Sequence, residues 1–143
     1  LHRNLVAVFA GREGTIIPGL SLNERLAWLA KDLRSLGLEP LPAHAPRNMA
    51  APSLEDRASL LGYLYVILGA TLGSRLLVRE AAGLGLGDGH GASYLSSMSR
   101  SSDWGRFLDC LENEAAAAPE HLGAGAMAAF AVFHSALAEP EPA

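Results

Sequence analysis

Cysteine is nearly absent from this chain: Cys110 stands alone among 143 residues, which excludes an internal disulfide, and no Cys/His pair has the spacing of a zinc site. A reducing compartment is the default, and the chain is read as cytoplasmic. Basic residues are few as well. Eleven Lys and Arg against fifteen Asp and Glu leave a net charge of −4, with no cluster able to neutralise successive phosphates, so nucleic acid is excluded as a partner. The opening residues Leu1-His2-Arg3-Asn4 have neither the charged start nor the short apolar run of a signal peptide, and no export is expected. The run from Ala58 to Ser74 carries no charge and sits at the lower edge of what spans a bilayer. Arg57 and Arg75 bracket it, and glycines and tyrosines dilute it, so it reads as a buried central helix and no membrane is expected as a partner.

Strand-like alternation is also scarce, whereas apolar residues recur at helical spacing, so the chain reads as all-α. Its length suits one domain spanning 1–143. Residues 1–20 form an N-terminal segment in which Leu1 to Ala10 resemble the tail of a helix and Gly11 to Gly19 a loop. Ser21-Leu22-Asn23-Glu24 has the form of a capping box. Leu22, Leu26, Leu29, Leu33 and Leu36 then make one apolar stripe that ends at Gly37, a left-handed stop, with Lys31, Asp32 and Arg34 off the stripe. Four prolines make 39–52 an extended connector. Ser53 is the expected N-cap of the longest helix, which runs to about Ala82 before the glycines of 83–91. A short helix is expected over Ala92 to Met98. Ser102 should cap another that buries Trp104, Phe107, Leu108 and Leu111, and Pro119 should open the last, which buries Leu122, Ala126, Ala129, Phe130, Phe133 and Leu137. Residues 139–143 read as a disordered tail.

The longest helix carries an expense that calls for a reason. At about 100° per residue, Gly62, Gly69 and Gly73 fall on one face. Each glycine inside a helix forgoes about 0.8–1 kcal/mol relative to alanine. Two compensations are open at this point: another helix packing unusually close, or a broad flat ligand lying against bare backbone. Spacing alone does not choose between them.

The residues around those glycines add a resemblance. Leu61-Gly62-Tyr63-Leu64-Tyr65-Val66-Ile67-Leu68-Gly69-Ala70-Thr71-Leu72-Gly73-Ser74-Arg75 resembles the "LGALYVLEGSTLGGR" segment of bacterial, biliverdin-producing haem oxygenases, including those that accompany bacteriophytochromes. Pro18-Gly19-Leu20, Lys31 to Gly37, Trp104-Gly105-Arg106-Phe107-Leu108 and Ala128 to Phe133 are similar to further segments of that family. The resemblance implies a multi-helix haem-oxygenase-like bundle. In it, haem lies between a proximal helix bearing an axial histidine and a distal helix kinked at glycines. Haem is then both cofactor and substrate, and an external electron donor (ascorbate, ferredoxin or a reductase) drives oxidation by O₂ to biliverdin, carbon monoxide and iron.

Carried over residue by residue, the resemblance puts Gly69 and Gly73 against the haem face, with Tyr65 one turn earlier. Thr71 lies between the glycines, and Arg75, Arg79 and Arg106 are candidates for the propionates. Leu68 and Ser74 depart from the family's glutamate and second glycine. The bundle is expected to lack the family's first helix or helices. His2 is the candidate axial ligand if Leu1-His2-Arg3-Asn4-Leu5 belongs to the proximal helix; a second alignment places the same residues on a later helix, away from iron. His44, His90, His121 and His134 fit solvated or partly buried positions, and Cys110 a small buried hydrophobe. The alternative to catalysis is a helical module that kept the fold and uses an exposed apolar face for haem, a partner or self-association as a homo-oligomer.

Overall fold

The computed structural model describes residues 2–40 and 53–138. Along the chain these form α1 (His2–Ala7), α2 (Glu13–Ile16), α3 (Leu22–Ser35), α4 (Arg57–Gly69), a 3-10 turn (Ala70–Gly73), α5 (Ser74–Gly83), α6 (Ser93–Arg100), α7 (Asp103–Ala115) and α8 (Pro119–Ala138). Among the described residues there is no strand, only isolated bridges from Gly87 to His90 and Gly91, and the all-α bundle expected from the sequence is what forms. Most of the connector and all of the tail, 41–52 and 139–143, lie outside the described residues.

α4 organises the core. It is apolar on every side, and such a helix is stable only when enclosed. Leu60, Leu61, Tyr63, Leu64, Ile67 and Leu68 are all buried, each aliphatic side chain contributing about 1.5–3 kcal/mol by leaving water. α8 runs against α4 over the longest contact, α7 flanks it, and α1 adds Leu5 and Phe9. The Phe9 ring meets Tyr63 edge-on with centroids 5.8 Å apart. Burial pushes the Tyr63 phenol up to about 12, and its hydroxyl has no hydrogen-bond partner. By length and composition Arg57–Gly83 is long and apolar enough to cross a membrane, but half of its most apolar window is buried inside the bundle.

The α4–α8 crossing answers part of the glycine question. A Cβ on Gly62 would lie 2.7 Å from the Leu122 carbonyl carbon and closer still to its oxygen, and a Cβ on Gly125 would meet the Ser59 carbonyl in the same way. Each helix thus presents a bare glycine to the other's backbone, which lets the axes approach more closely than side chains permit. Gly62 therefore serves helix packing. Gly69 and Gly73 do not share that role, so the single face drawn from the sequence divides into two functions.

The helix ends depart from several expectations. Ser21 makes no capping bond. The Leu22 amide instead donates to Oε1 of Glu13 at 3.1 Å, because α2 folds within the stretch read as a loop and brings that carboxylate to the start of α3. α4 begins at Arg57, and Asp56, not Ser53, caps it, accepting from the Ser59 amide at 2.8 Å and the Ser59 hydroxyl at 2.6 Å. A carboxylate one turn nearer the helix outcompetes the serine. Ser102 occupies the N-cap of α7 without a side-chain bond, and the Asp103 amide donates to Ser101 Oγ. Gly37 behaves as expected: at φ +74° it closes α3, with the Leu38 amide on Leu33 O and its own on Arg34 O. Asp32, off the apolar stripe, is nonetheless buried and accepts from the Ser93 and Tyr94 amides, capping α6 from 61 residues away.

Candidate functional site

At Gly69 the α-helical ladder of α4 gives way to the four-residue 3-10 turn, and α5 resumes at Ser74. The Thr71 hydroxyl donates to Leu68 O at 2.6 Å, holding the turn from its buried side. A short 3-10 segment rotates the residues that follow it. Ala70 and Leu72 consequently face outward, Leu72 being 58% exposed.

Beside this break lies an apolar groove of about 510 Å³. α4 and the turn form its floor through Tyr65, Val66, Gly69 and Leu72, and Trp104 of α7 with Phe130 and Phe133 of α8 form its walls. The aromatic rings interlock. Tyr65 and Trp104 have centroids 5.8 Å apart, and Phe107, wholly buried, backs both at 6.3 and 5.2 Å. No charged side chain lines the groove. Its size and apolar, aromatic lining fall within the range of small-molecule sites.

The glycines meet this groove differently. A Cβ on Gly69 would touch the Trp104 ring at 3.7 Å, ordinary van der Waals contact, whereas one on Gly73 would meet nothing within 4 Å. Side-chain-free backbone at Gly73 is thus not demanded by packing within the bundle.

Among the residues singled out in the sequence, the structure brings Tyr65 and Gly69 together in the groove, with Gly73 just beyond it. Thr71 is buried and its hydroxyl committed to Leu68. Arg75 and Arg79 are exposed on α5, and Arg75 Nε donates to Ser99 O at 3.4 Å. Arg106 points away from the groove: Nη1 donates to Pro18 O at 2.6 Å and Nη2 to Asp103. His2 belongs to α1, but its side chain lies outside the described residues, as does His44. His121 pairs with Asp56 at 3.2 Å at the far end of α4; hydrogen bonds from the Ser59 hydroxyl and amide, with a smaller contribution from His121, hold that carboxyl down at about 2. His90 and His134 are exposed, and among the described residues no group of His, Cys, Asp and Glu is arranged to hold a metal. Cys110 is partly buried against the core, with Sγ 3.8 Å from Ile16 O.

Phe130 was expected in the core but is 54% exposed, because α8 turns it toward the groove while Ala129 and Val132 take the buried positions. Sequence reasoning also missed the buried Arg25. The signal was present, since Arg25 and Asp32 are seven residues apart and so share one flank of α3.

No family model matches the sequence, and no solved structure matches it. A protein named "Heme oxygenase" from Xanthomonas campestris pv. campestris (strain 8004) is 36% identical over 123 residues, covering 84% of this chain and 71% of that protein.

Proposed function

The chain belongs to the haem oxygenase family, and from that premise we propose that the groove binds haem and that the chain supports its oxidative cleavage to biliverdin, carbon monoxide and iron with electrons from an external donor. The observation that carries the reading is bare backbone at Gly73 beside an uncharged aromatic groove of about 510 Å³. The lining fits the guest: a porphyrin needs a broad apolar wall, and Trp104, Phe130 and Phe133 offer ring faces and edges to it. When bound, haem supplies the iron at which O₂ is reduced and the carbon that is oxidised.

In this reading the chain's own residues orient and enclose. Gly69 leaves a gap among the side chains of the floor and Gly73 adds no side chain just beyond it, Val66 and Leu72 exclude water, and Tyr65, 47% exposed, offers a hydroxyl at the groove's edge. Thr71 holds the 3-10 turn that sets the floor. Arg79, exposed on α5, and Arg75, held only by a long bond to Ser99 O, are the side chains placed to reach carboxylates at the rim. Arg106 would have to leave Pro18 O and Asp103 to do so. His2 is the axial candidate carried from the sequence.

The test is a haem titration followed at the Soret band for wild type, His2→Ala and Gly73→Leu. One-to-one binding is expected, weakened at least about tenfold by Gly73→Leu, which fills the space a haem face needs and whose Cβ meets no protein atom within 4 Å. Ascorbate or a reductase should then convert bound haem to a biliverdin absorbance. Haem that binds in the groove but persists unchanged under reductant supports the second reading, a non-catalytic module, which the exposed Leu72, Leu76 and Leu77 along the same helix favour.

A further inference from the structure

Behind the first turn of α7, on the side away from the aromatic groove, a polar pocket of about 350 Å³ opens between α3, α6 and α7. We propose that it is a second ligand site, for a small free oxyanion carrying carboxylate or phosphate, distinct from the haem groove.

The side chains behind the pocket hold more donors than acceptors. Among the described residues five buried side-chain atoms lack a hydrogen-bond partner, and three of them belong to its walls: Nε and Nη1 of Arg25 and Nε of Arg106. Arg25 forms the floor with its side chain 1% exposed, and a guanidinium stays charged when buried. Its Nη2 donates to Asp103 Oδ2 at 3.0 Å, and the guanidinium also hydrogen-bonds the Tyr94 hydroxyl. The other Asp103 oxygen is taken by Arg106. One carboxylate thus answers two guanidinium groups, and burial's upward push on its carboxyl is outweighed by hydrogen bonds from Ser101, Arg25 and Arg106. Arg100 adds a third cation to the wall, tied to Asp88 at 3.1 Å on its outer side. Within the lining itself three arginines stand beside two carboxylates, Asp103 and Glu24, with Asp88, the partner of Arg100, just outside it.

The rest of the wall suits an oxyanion. The N-terminus of the 13-residue α7 opens into the pocket with its cap side chain, Ser102, making no capping bond. That end carries the positive pole of the helix dipole. Gly19 fixes Arg106 in place, since a Cβ there would stand 2.7 Å from Nη1 and drive it off Pro18 O. The volume admits a short-chain or single-ring anion and is smaller than the aromatic groove. Arg100 and Arg106, 63% and 40% exposed, reach the ligand, while Arg25 supplies charge from below.

The full chain, free of haem, is titrated calorimetrically with inorganic phosphate and with citrate at constant ionic strength, with chloride as control. Saturable one-to-one binding of either oxyanion is expected, weakened at least about fivefold in Arg100→Gln and about tenfold in Arg106→Gln, two surface substitutions that leave the core intact. Binding no greater than that of chloride, or unchanged in both variants, overturns the proposal. A third arm separates the sources of carboxylate. If neither free anion binds but haem affinity falls in Arg106→Gln, the acceptor is a haem propionate and the second site is refuted.

Discussion

Alanine at Gly62 and alanine at Gly73 should shift stability in opposite directions, although both replace a glycine in the same interrupted helix. Taken alone, helix propensity favours each substitution by up to about 1 kcal/mol. At Gly73 nothing opposes that gain: φ is −73°, any L-residue adopts it, and the added methyl meets no atom within 4 Å. At Gly62 the methyl would sit 2.7 Å from the Leu122 carbonyl carbon, where ordinary contact begins at 3.4 Å, so α4 and α8 must part by at least about 0.7 Å. Neither partner yields cheaply, since both are helix backbone. Parting them also loosens Leu61 and Ala129, both fully buried. Overpacking of this kind costs about 1–3 kcal/mol, occasionally more, so a net loss of about 2 kcal/mol is expected after the propensity gain. In a chain of this length that is a fall in Tm of roughly 6–8 °C, against a rise of a few degrees for Gly73→Ala. Urea titrations read by circular dichroism, with unchanged m-values, measure both. Equal stabilisation by the two alanines would show that the crossing tolerates a methyl and would refute the division of the glycines into a packing position and an open one.

Three further outcomes follow from buried and capping polar groups. Asp56→Ala should cost about 1 kcal/mol at neutral pH through loss of the α4 cap. Because the folded carboxyl is held down at about 2 from an ordinary value of 3.8, chiefly by the Ser59 hydroxyl and amide, the wild-type contribution is complete above pH 3.8 and disappears as pH falls toward 2. Urea melts at pH 5 and pH 2 should therefore show the difference between wild type and variant shrinking at the lower pH, and a constant difference would contradict the cap. Tyr63→Phe should be neutral or stabilising by up to about 1 kcal/mol, because it removes a buried hydroxyl that has no partner. In the wild type an absorbance titration should find this phenol, pushed up to about 12 by burial, still protonated at pH 11; ionisation near pH 10 in the folded protein would mean that it reaches water. Asp103→Ala should destabilise by about 3 kcal/mol or more, since it strips Arg25 of its carboxylate at a fully buried site. A thermal melt within 2 °C of wild type would deny that pair a structural role.

What the sequence disclosed, and what it concealed, follows the range of the interactions. The all-α class, the Schellman end at Gly37, the start of α8 at Pro119 and the glycine-bearing central helix were legible because each rests on residues within a turn or two of one another. The family resemblance was legible for the same reason, being carried by a contiguous segment. Caps were misassigned where the acceptor arrives from elsewhere: Glu13 displaces Ser21 at α3, and Asp32 crosses from α3 to close α6. The three glycines show the limit most plainly. Their common face is a property of one helix, yet what each face meets depends on how α7 and α8 are laid against it. Leu122 backbone covers Gly62, the Trp104 ring brushes Gly69, and open space lies above Gly73. Of the two compensations left open by the sequence, close helix packing accounts for the end of α4 that α8 crosses. The far end, where the 3-10 turn and the aromatic groove lie together, is not explained by packing and is where the proposed guest would lie.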